Sequence, residues 1–420
     1  MTADTARTCL VVDAVSTGRH LPAALAGFGL RTVHVQSRPD LPVYVAKSKP
    51  TEAFADEFVV DGNLDAVVEQ AAEMKPEFCI PGAEIRVMMA DTLSERLGLP
   101  GNGTALSLAR RDKFAMGEAL AAAGLRRIEQ TLADDPEAVI AWMAEHRIPE
   151  AVIKPRDSAG TDSVFFCRTP GDVRTAMAAI VGRFNSMGSF NDKALAQRRI
   201  RGRQFTVNTV SIDGEAYIAE CWTYETVEVP GAGSICSHEV LLDGGDPVAL
   251  RLGAYVRQVL AALGVRHGPA HVEVFEDEDG PVLIECGARM QGSMSRPATL
   301  QALGHDHVAL TALRYADPEG FRDYVAGNDP YRPRRPAWIV SLLSDVAGRV
   351  TGHSGLERIR ALPTFADAVG FAPVGAEIRP TRDLYSTPGI VYLVGEDIAA
   401  LERDYRAIRA MGMAEVFDLA

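Results

Sequence analysis

The stretch 271–292, HVEVFEDEDGPVLIECGARMQG, holds the residues best suited to do chemistry. Residues 270–277 and 281–287 are rich in Val, Ile and Leu and predict two strands. Glu278-Asp279-Gly280 joins them, with Gly where a hairpin needs positive φ. A hairpin centred on Asp279 sets Glu273 opposite Glu285. It places Glu273, Phe275, Leu283 and Glu285 on one face, and Val272, Val274, Ile284 and Cys286 on the other. Like charges opposed across a strand pair, with Cβ atoms about 5 Å apart, are destabilising. A hard divalent cation such as Mg²⁺, bridged to phosphate oxygens, is the simplest reason for them to coexist. The plain alternative is an acidic hairpin facing solvent. Against it, Phe275 and Leu283 share the acid face, and Arg289 with a Gly-containing loop follows at once, as a phosphate site requires.

Lysine is scarce, with only Lys47, Lys49, Lys75, Lys113, Lys154 and Lys193, so a Lys at a motif position stands out. Lys154 ends the apolar run 151–154, and a buried Lys needs an anion. The small-residue loop 156–163, RDSAGTDS, lies between that strand and another at 164–167. Such a loop can lay backbone N–H groups over phosphates, although an ordinary hairpin turn reads the same way. Lys113 opens a helix that Gly124 ends. Glu84 follows the strand end Ile80-Pro81-Gly82 and either faces a ligand or is a first-turn acid favoured by the helix dipole.

The elements that would position these groups begin with a β-α-β-α alternation, which argues for a parallel sheet whose strand ends offer a binding edge. Strands are expected near 8–15, 31–36, 58–60 and 78–81, with helices at 21–27, 64–74 and 84–97. The first turn lacks G-x-G-x-x-G, which disfavours a dinucleotide fold. Further strands are expected at 194–200, 204–212 and 215–224, a Pro/Gly-rich loop at 229–237 ending near His238, and a helix at 247–263. DPYRPRRP at 329–336 marks a boundary before a small α+β tail. The expected fold class is thus α/β and α+β. The expected domains are an N-terminal α/β unit over 1–105, a central lid over 106–190, a nucleotide and metal unit over 191–330, and a C-terminal subdomain over 331–420.

A net charge of −13 with no Lys/Arg run argues against nucleic acid as a partner. The six cysteines show no CxxC and no metal spacing, and read as reduced thiols of a cytoplasmic protein. No stretch approaches the length of a membrane helix, and the N-terminal apolar run is too short for a signal peptide.

In their order, VIKPRDSAG (152–160), LAQRRIRGRQFTVNTVSIDG (195–214), HVEVFEDEDGPVLIECGAR (271–289) and RMQG (289–292) resemble the ATP-grasp superfamily, and within it the L-amino acid ligases that make dipeptides, of the bacilysin-synthetase type. The resemblance runs over nearly the whole chain. It implies an ATP-grasp fold with a pre-ATP-grasp domain. It also implies an ATP-dependent carbon–nitrogen ligase that joins two amino acids through an acyl phosphate, in secondary-metabolite synthesis. ATP and Mg²⁺ would be the cofactors, with Mn²⁺ as a substitute. The substrates would be small molecules, amino acids or other carboxylates, and a homodimer is possible. Lys113 and Lys154 would contact the phosphates beneath a loop of Ser158, Ala159 and Gly160. Gln197 to Ile200 would hold adenine, and Gln204 the ribose. Glu273 and Glu285 would bind the metal, and Arg289 would face the acyl phosphate. Glu84, His238, Gly292 and Ser293 would line the amino-acid site. Three positions depart from the pattern: Gln197 and Gln204 replace acids, and Gly287 stands where an Asn often does. The Gln197 amide oxygen can still accept from an adenine amino group. Two other readings remain: an ATP-grasp enzyme activating bicarbonate or a nonpeptide carboxylate, and a nucleotide sensor without ligation.

Overall fold

The computed structural model describes residues 7–40, 48–50, 54–158, 160, 162–229, 233–292, 294–382 and 386–420. Ala159 and Ser293, both expected at the site, lie outside them.

The run Cys9-Leu10-Val11-Val12 is fully buried because its strand is covered on both faces. Cys9 and Val11 pack with Leu21 and Leu25 and with Val308 and Ala312 from a distant helix. Leu10 and Val12 pack with Val67, Ala71, Ala90 and Leu93. The sheet is parallel, in the order Asp56–Val59, Leu30–Gln36, Arg7–Val12, Cys79–Pro81.

A second sheet is antiparallel, in the order Gln130–Ala133, Ala194–Arg198, Ala151–Lys154, Phe165–Cys167. The helices Pro136–Glu145 and Pro170–Ile180 bury Val139, Trp142, Val173 and Met177 in its core. This sheet recruits Ala194–Arg198, beyond the expected lid boundary at 190. The helix Lys113–Ala122, placed in the lid by its position in the chain, instead packs Met116 and Leu120 into the main core.

The main sheet has eight strands among the described residues. Their order is Gly280–Gly287, Gly268–Asp277, Arg203–Ile212, Glu215–Val229, Gly233–Leu241, Ala337–Ser341, Ile390–Val394, Phe365–Val369. The tail strands therefore extend this sheet: Val340 pairs with His238, so the backbone edge at 238–240 is covered by residues about a hundred positions later. Of the expected loop at 229–237, residues 230–232 lie outside the described residues, and 229 and 233–237 are strand, with Glu228 and Thr226 paired to Ser234 and Cys236.

The chemical hairpin turns over Glu278-Asp279, with Gly280 (φ 98°) already paired to Asp277. That shorter turn would shift the register by one residue. A bulge at Ile284 restores it, so Glu273 does face Glu285. The bulge also moves Leu283 off the acid face, opposite Val274 and into the core. The Leu283 amide is satisfied by the Tyr255 hydroxyl at 2.9 Å.

Candidate active site

Asp112 caps the helix that Lys113 opens, accepting from the amides of Phe114 and Ala115 at 2.9 Å. The cap delivers buried Lys113 beneath the small-residue loop. Its Nζ donates to the Ser158 carbonyl at 2.6 Å and lies 3.1 Å from Glu285 Oε2. The loop is braced from outside: Ser158 Oγ donates to Asp162 at 2.6 Å, and Asn185 Nδ2 donates to Asp157 at 2.8 Å. Gly160 sits at φ 67°, the left-handed region such a loop needs.

Lys154 is buried at its strand end. Burial and the neighbouring Lys113 push its ammonium down to about 8, while Glu285 and Glu273 pull it back. Burial works against ionisation of Glu285, but Lys113, Lys154 and Arg289 hold its carboxyl below the ordinary value. The opposed acids thus diverge: Glu285 turns to Lys113, while Glu273 Oε2 accepts from Gln204 Nε2 at 3.3 Å and its Oε1 lies 3.5 Å from His271. Lysine charge stabilises the pair in the protein alone. No group of three or more His, Cys, Asp or Glu side chains forms a metal cage among the described residues. Two adjacent carboxylates beside two buried lysines still suit Mg²⁺, which keeps several waters and shares phosphate oxygens.

Gln197 is buried and donates Nε2 to Gln130 Oε1 at 3.2 Å, while Gln130 Nε2 donates to the Phe114 carbonyl at 2.8 Å. This relay leaves the Gln197 oxygen to accept, as an adenine amino group requires. It fits only because residue 117 is glycine: a Cβ there would lie 2.5 Å from Gln130 Nε2. Ile200 follows in the extended link between the second and main sheets.

Glu84 lies on the short 3₁₀ turn Glu84–Arg86, ahead of the helix Val87–Arg96 rather than in its first turn. Its Oε2 accepts from Arg289 Nε at 2.6 Å, both groups largely buried. This pair explains Gly287, whose Cβ would stand 2.6 Å from Glu84 Oε2 and 3.2 Å from Arg289 Cζ. Gly292 lies against Ser16, whose Oγ is 3.7 Å from where its Cβ would be.

His238 is not brought to the site. Its ring lies 4.7 Å from that of Trp338 and 4.5 Å from that of Tyr405, half-buried against the tail helix Ile398–Ala410. Burial, then Arg409, pushes its imidazole down to about 4. Neighbours along a strand point to opposite faces, so Glu239 takes the acid face instead. Glu239 Oε2 is shielded from solvent with no hydrogen-bond partner among the described residues, and burial with Glu273 and Glu220 pushes its carboxyl up to about 8. Asn208 joins Glu220 (2.7 Å), Gln291 (2.6 Å) and His271 (2.8 Å) into a buried network behind Glu273. The sequence carried a signal for these: Asn208 and Glu220 interrupt apolar strands at paired positions.

Three sheets so arranged, with two lysines, a phosphate-type loop and paired acids at their junction, define an ATP-grasp enzyme. An ATP-grasp domain family matches residues 148–296, and the family described as L-amino acid ligase C-terminal domain 2 matches residues 341–411. Dapdiamide A synthase of Enterobacter agglomerans is 31% identical over 402 residues, covering 95% of this chain and 94% of that protein. The crystal structure of an L-amino acid ligase from Bacillus licheniformis shares the fold, with TM-score 0.73 at 19% identity over 96% of this chain and 97% of that one. The biotin carboxylase domain dimer of the Hydrogenobacter thermophilus 2-oxoglutarate carboxylase, in complex with MgADP, ADP and bicarbonate, has TM-score 0.63 at 15% identity, covering 99% and 90%. The chain belongs to the L-amino acid ligase family of the ATP-grasp superfamily, and is an ATP-dependent ligase. No helix among the described residues is long and apolar enough to cross a membrane.

Proposed function

We propose that this enzyme joins the carboxylate of one amino acid to the amine of another, for a small peptide-like metabolite. The observation that carries the reading is the convergence of Lys113, Lys154 and Arg289 on Glu285, with Arg289 also held by Glu84. A carboxylate does not react with an amine at neutral pH, because oxide is a poor leaving group. ATP would supply the γ-phosphoryl group that converts it into an acyl phosphate, with ADP leaving, and phosphate leaves when the amine attacks the carbonyl. Lys113 and Lys154 neutralise the transferring charge. Glu273 and Glu285 would hold Mg²⁺, or Mn²⁺ in its place. Arg289, fixed by Glu84, stabilises the oxyanion when the amine attacks. Ser158 and Gly160 cover the phosphates and, with Ala159, keep the acyl phosphate from water. Gln197 and Ile200 hold adenine, Gln204 meets the ribose, and Gly292 and Ser293 border the amino-acid site.

All six cysteines are free, five of them buried, which suits the reducing cytoplasm where ATP and amino acids are found. The dimeric carboxylase of similar fold supports a homodimer. The test is ADP release from Mg-ATP with pairs of amino acids, with products identified by mass spectrometry. Release that needs two amino acids and yields their condensation product is expected. Release with bicarbonate alone, or none with any pair, would overturn the reading.

A further inference from the structure

Beside Arg289 lies a second set of arginines that the ligation chemistry leaves unused. The helix after the strand Arg7–Val12 packs on one face of the parallel sheet, and the helix after Cys79–Pro81 packs on the other. The two strands are neighbours, so a crevice opens beyond their ends. Its walls touch backbone to backbone: a Cβ on Gly18 would lie 2.2 Å from the Gly82 carbonyl oxygen. Thr17 comes from one wall, Arg86 from the other, and Arg111 from the connection ahead of Lys113.

Both carboxylates in the crevice are already engaged. Asp13 accepts from the Ser37 amide at 2.9 Å and the Ser37 hydroxyl at 2.6 Å, leaving Arg86 Nε 3.9 Å from its Oδ2. Glu84 gives its Oε2 to Arg289 and lies 3.8 Å from Arg111 Nη1. Arg111 Nη2 is spent on the Asp157 carbonyl. Consequently Arg86 Nε, Arg111 Nη1 and Thr17 Oγ1 are shielded from solvent with no acceptor among the described residues. Three shielded groups able to donate, two of them on arginines whose nearest carboxylates lie beyond hydrogen-bond reach, are costly to leave without an acceptor. Arg38 adds charge nearby: burial first, then Arg38 and Arg111, push the Arg86 guanidinium below its ordinary value despite Asp13.

We propose that this crevice is an anion subsite for a second acidic group, carboxylate or phosphate, on the molecule whose carboxylate is activated. Arg86 and Arg111 hold that group, with Thr17 donating its hydroxyl, while the reacting carboxylate lies against Arg289. The identity of the occupant rests on the ligase reading; the anion site does not. The test is therefore calorimetric binding to the full chain, read without turnover. Succinate, its monoamide succinamate and 3-phosphonopropionate are the probes. Wild-type protein is expected to bind succinate or 3-phosphonopropionate at least tenfold more tightly than succinamate, and the tighter of the two names the group. Arg86→Gln should remove that preference without weakening succinamate, and Arg86→Lys should restore part of it. Equal binding of all three probes, or a preference that survives Arg86→Gln, overturns the subsite. Tight succinate binding in a protein that releases no ADP with any amino-acid pair would keep the subsite and overturn the ligase reading.

Discussion

Lys154 makes the nucleotide-free protein sensitive to pH in a direction that can be worked out. Its ammonium falls from the ordinary 10.5 to about 8, chiefly through burial. That fall is worth ~3 kcal/mol against the charged form. The penalty is fully present below pH about 8, where the folded protein must keep a buried cation. It is relieved as pH rises from about 8 towards 10.5, where the unfolded chain also loses its proton. Nucleotide phosphates, if held by Lys154 as proposed, would reverse the balance by supplying an anion. At pH 9.5 only a few per cent of empty sites would carry the charge, so ATP affinity should fall about 30-fold from its value at pH 7. Calorimetry of Mg-ATP binding at pH 9, in two buffers of different ionisation heat, should show close to one proton taken up per nucleotide, and close to none at pH 7. Glu239, pushed up to about 8, gains negative charge over the same window and would also weaken ATP binding. Lys154→Arg separates the two: an arginine stays charged throughout, so any decline it retains belongs to Glu239. Affinity that stays flat to pH 9.5 in the wild type, with no proton uptake at pH 9, would refute the assignment of Lys154 to the phosphates.

Glu273→Gln should lower turnover about 100-fold or more, since it halves the carboxylate charge available to a metal. It should lower the unfolding free energy read from urea denaturation by less than about 1 kcal/mol, because the amide oxygen can still accept from Gln204; full ADP release in this variant would discredit the metal assignment. Gly287→Ala drives a methyl into the Glu84–Arg289 pair, 2.6 Å from the carboxylate oxygen. A misplaced Arg289 should reduce kcat by about 100-fold with ATP affinity nearly unchanged, as steady-state kinetics at varied ATP would show. Gly117→Ala should gain about 1 kcal/mol of helix propensity, yet its Cβ evicts Gln130 and frees the Gln197 amide. The expected outcome is a several-fold rise in the KM for ATP, and an unchanged KM would break the adenine relay.

The paired acids were legible in the sequence because strand alternation and a hairpin turn are local: Glu273 and Glu285 are opposed, as spacing predicts. The route was not legible. A two-residue turn with a compensating bulge at Ile284 reaches the same pairing, and it sends Leu283 into the core. Lys113 and Lys154 stood out because lysine is rare in this chain and one of them ends an apolar strand. Their meeting over Glu285 joins a helix start to two different sheets, and no local pattern encodes that. His238 shows the opposite failure. Its expected place came from the resemblance, which carries no register; strand pairing at 233–241 decides the face, and turns the ring to Trp338.

Element types, the parallel alternation near the N-terminus and the identities of the paired acids follow from the sequence alone, since periodicity and turn chemistry act over a few residues. The Glu84–Arg289 pair, the space that Gly287 leaves for it, and the unsatisfied arginines beside them were decided only by the tertiary structure. Each depends on groups up to some two hundred positions apart being packed together, and on which buried donors are left without an acceptor.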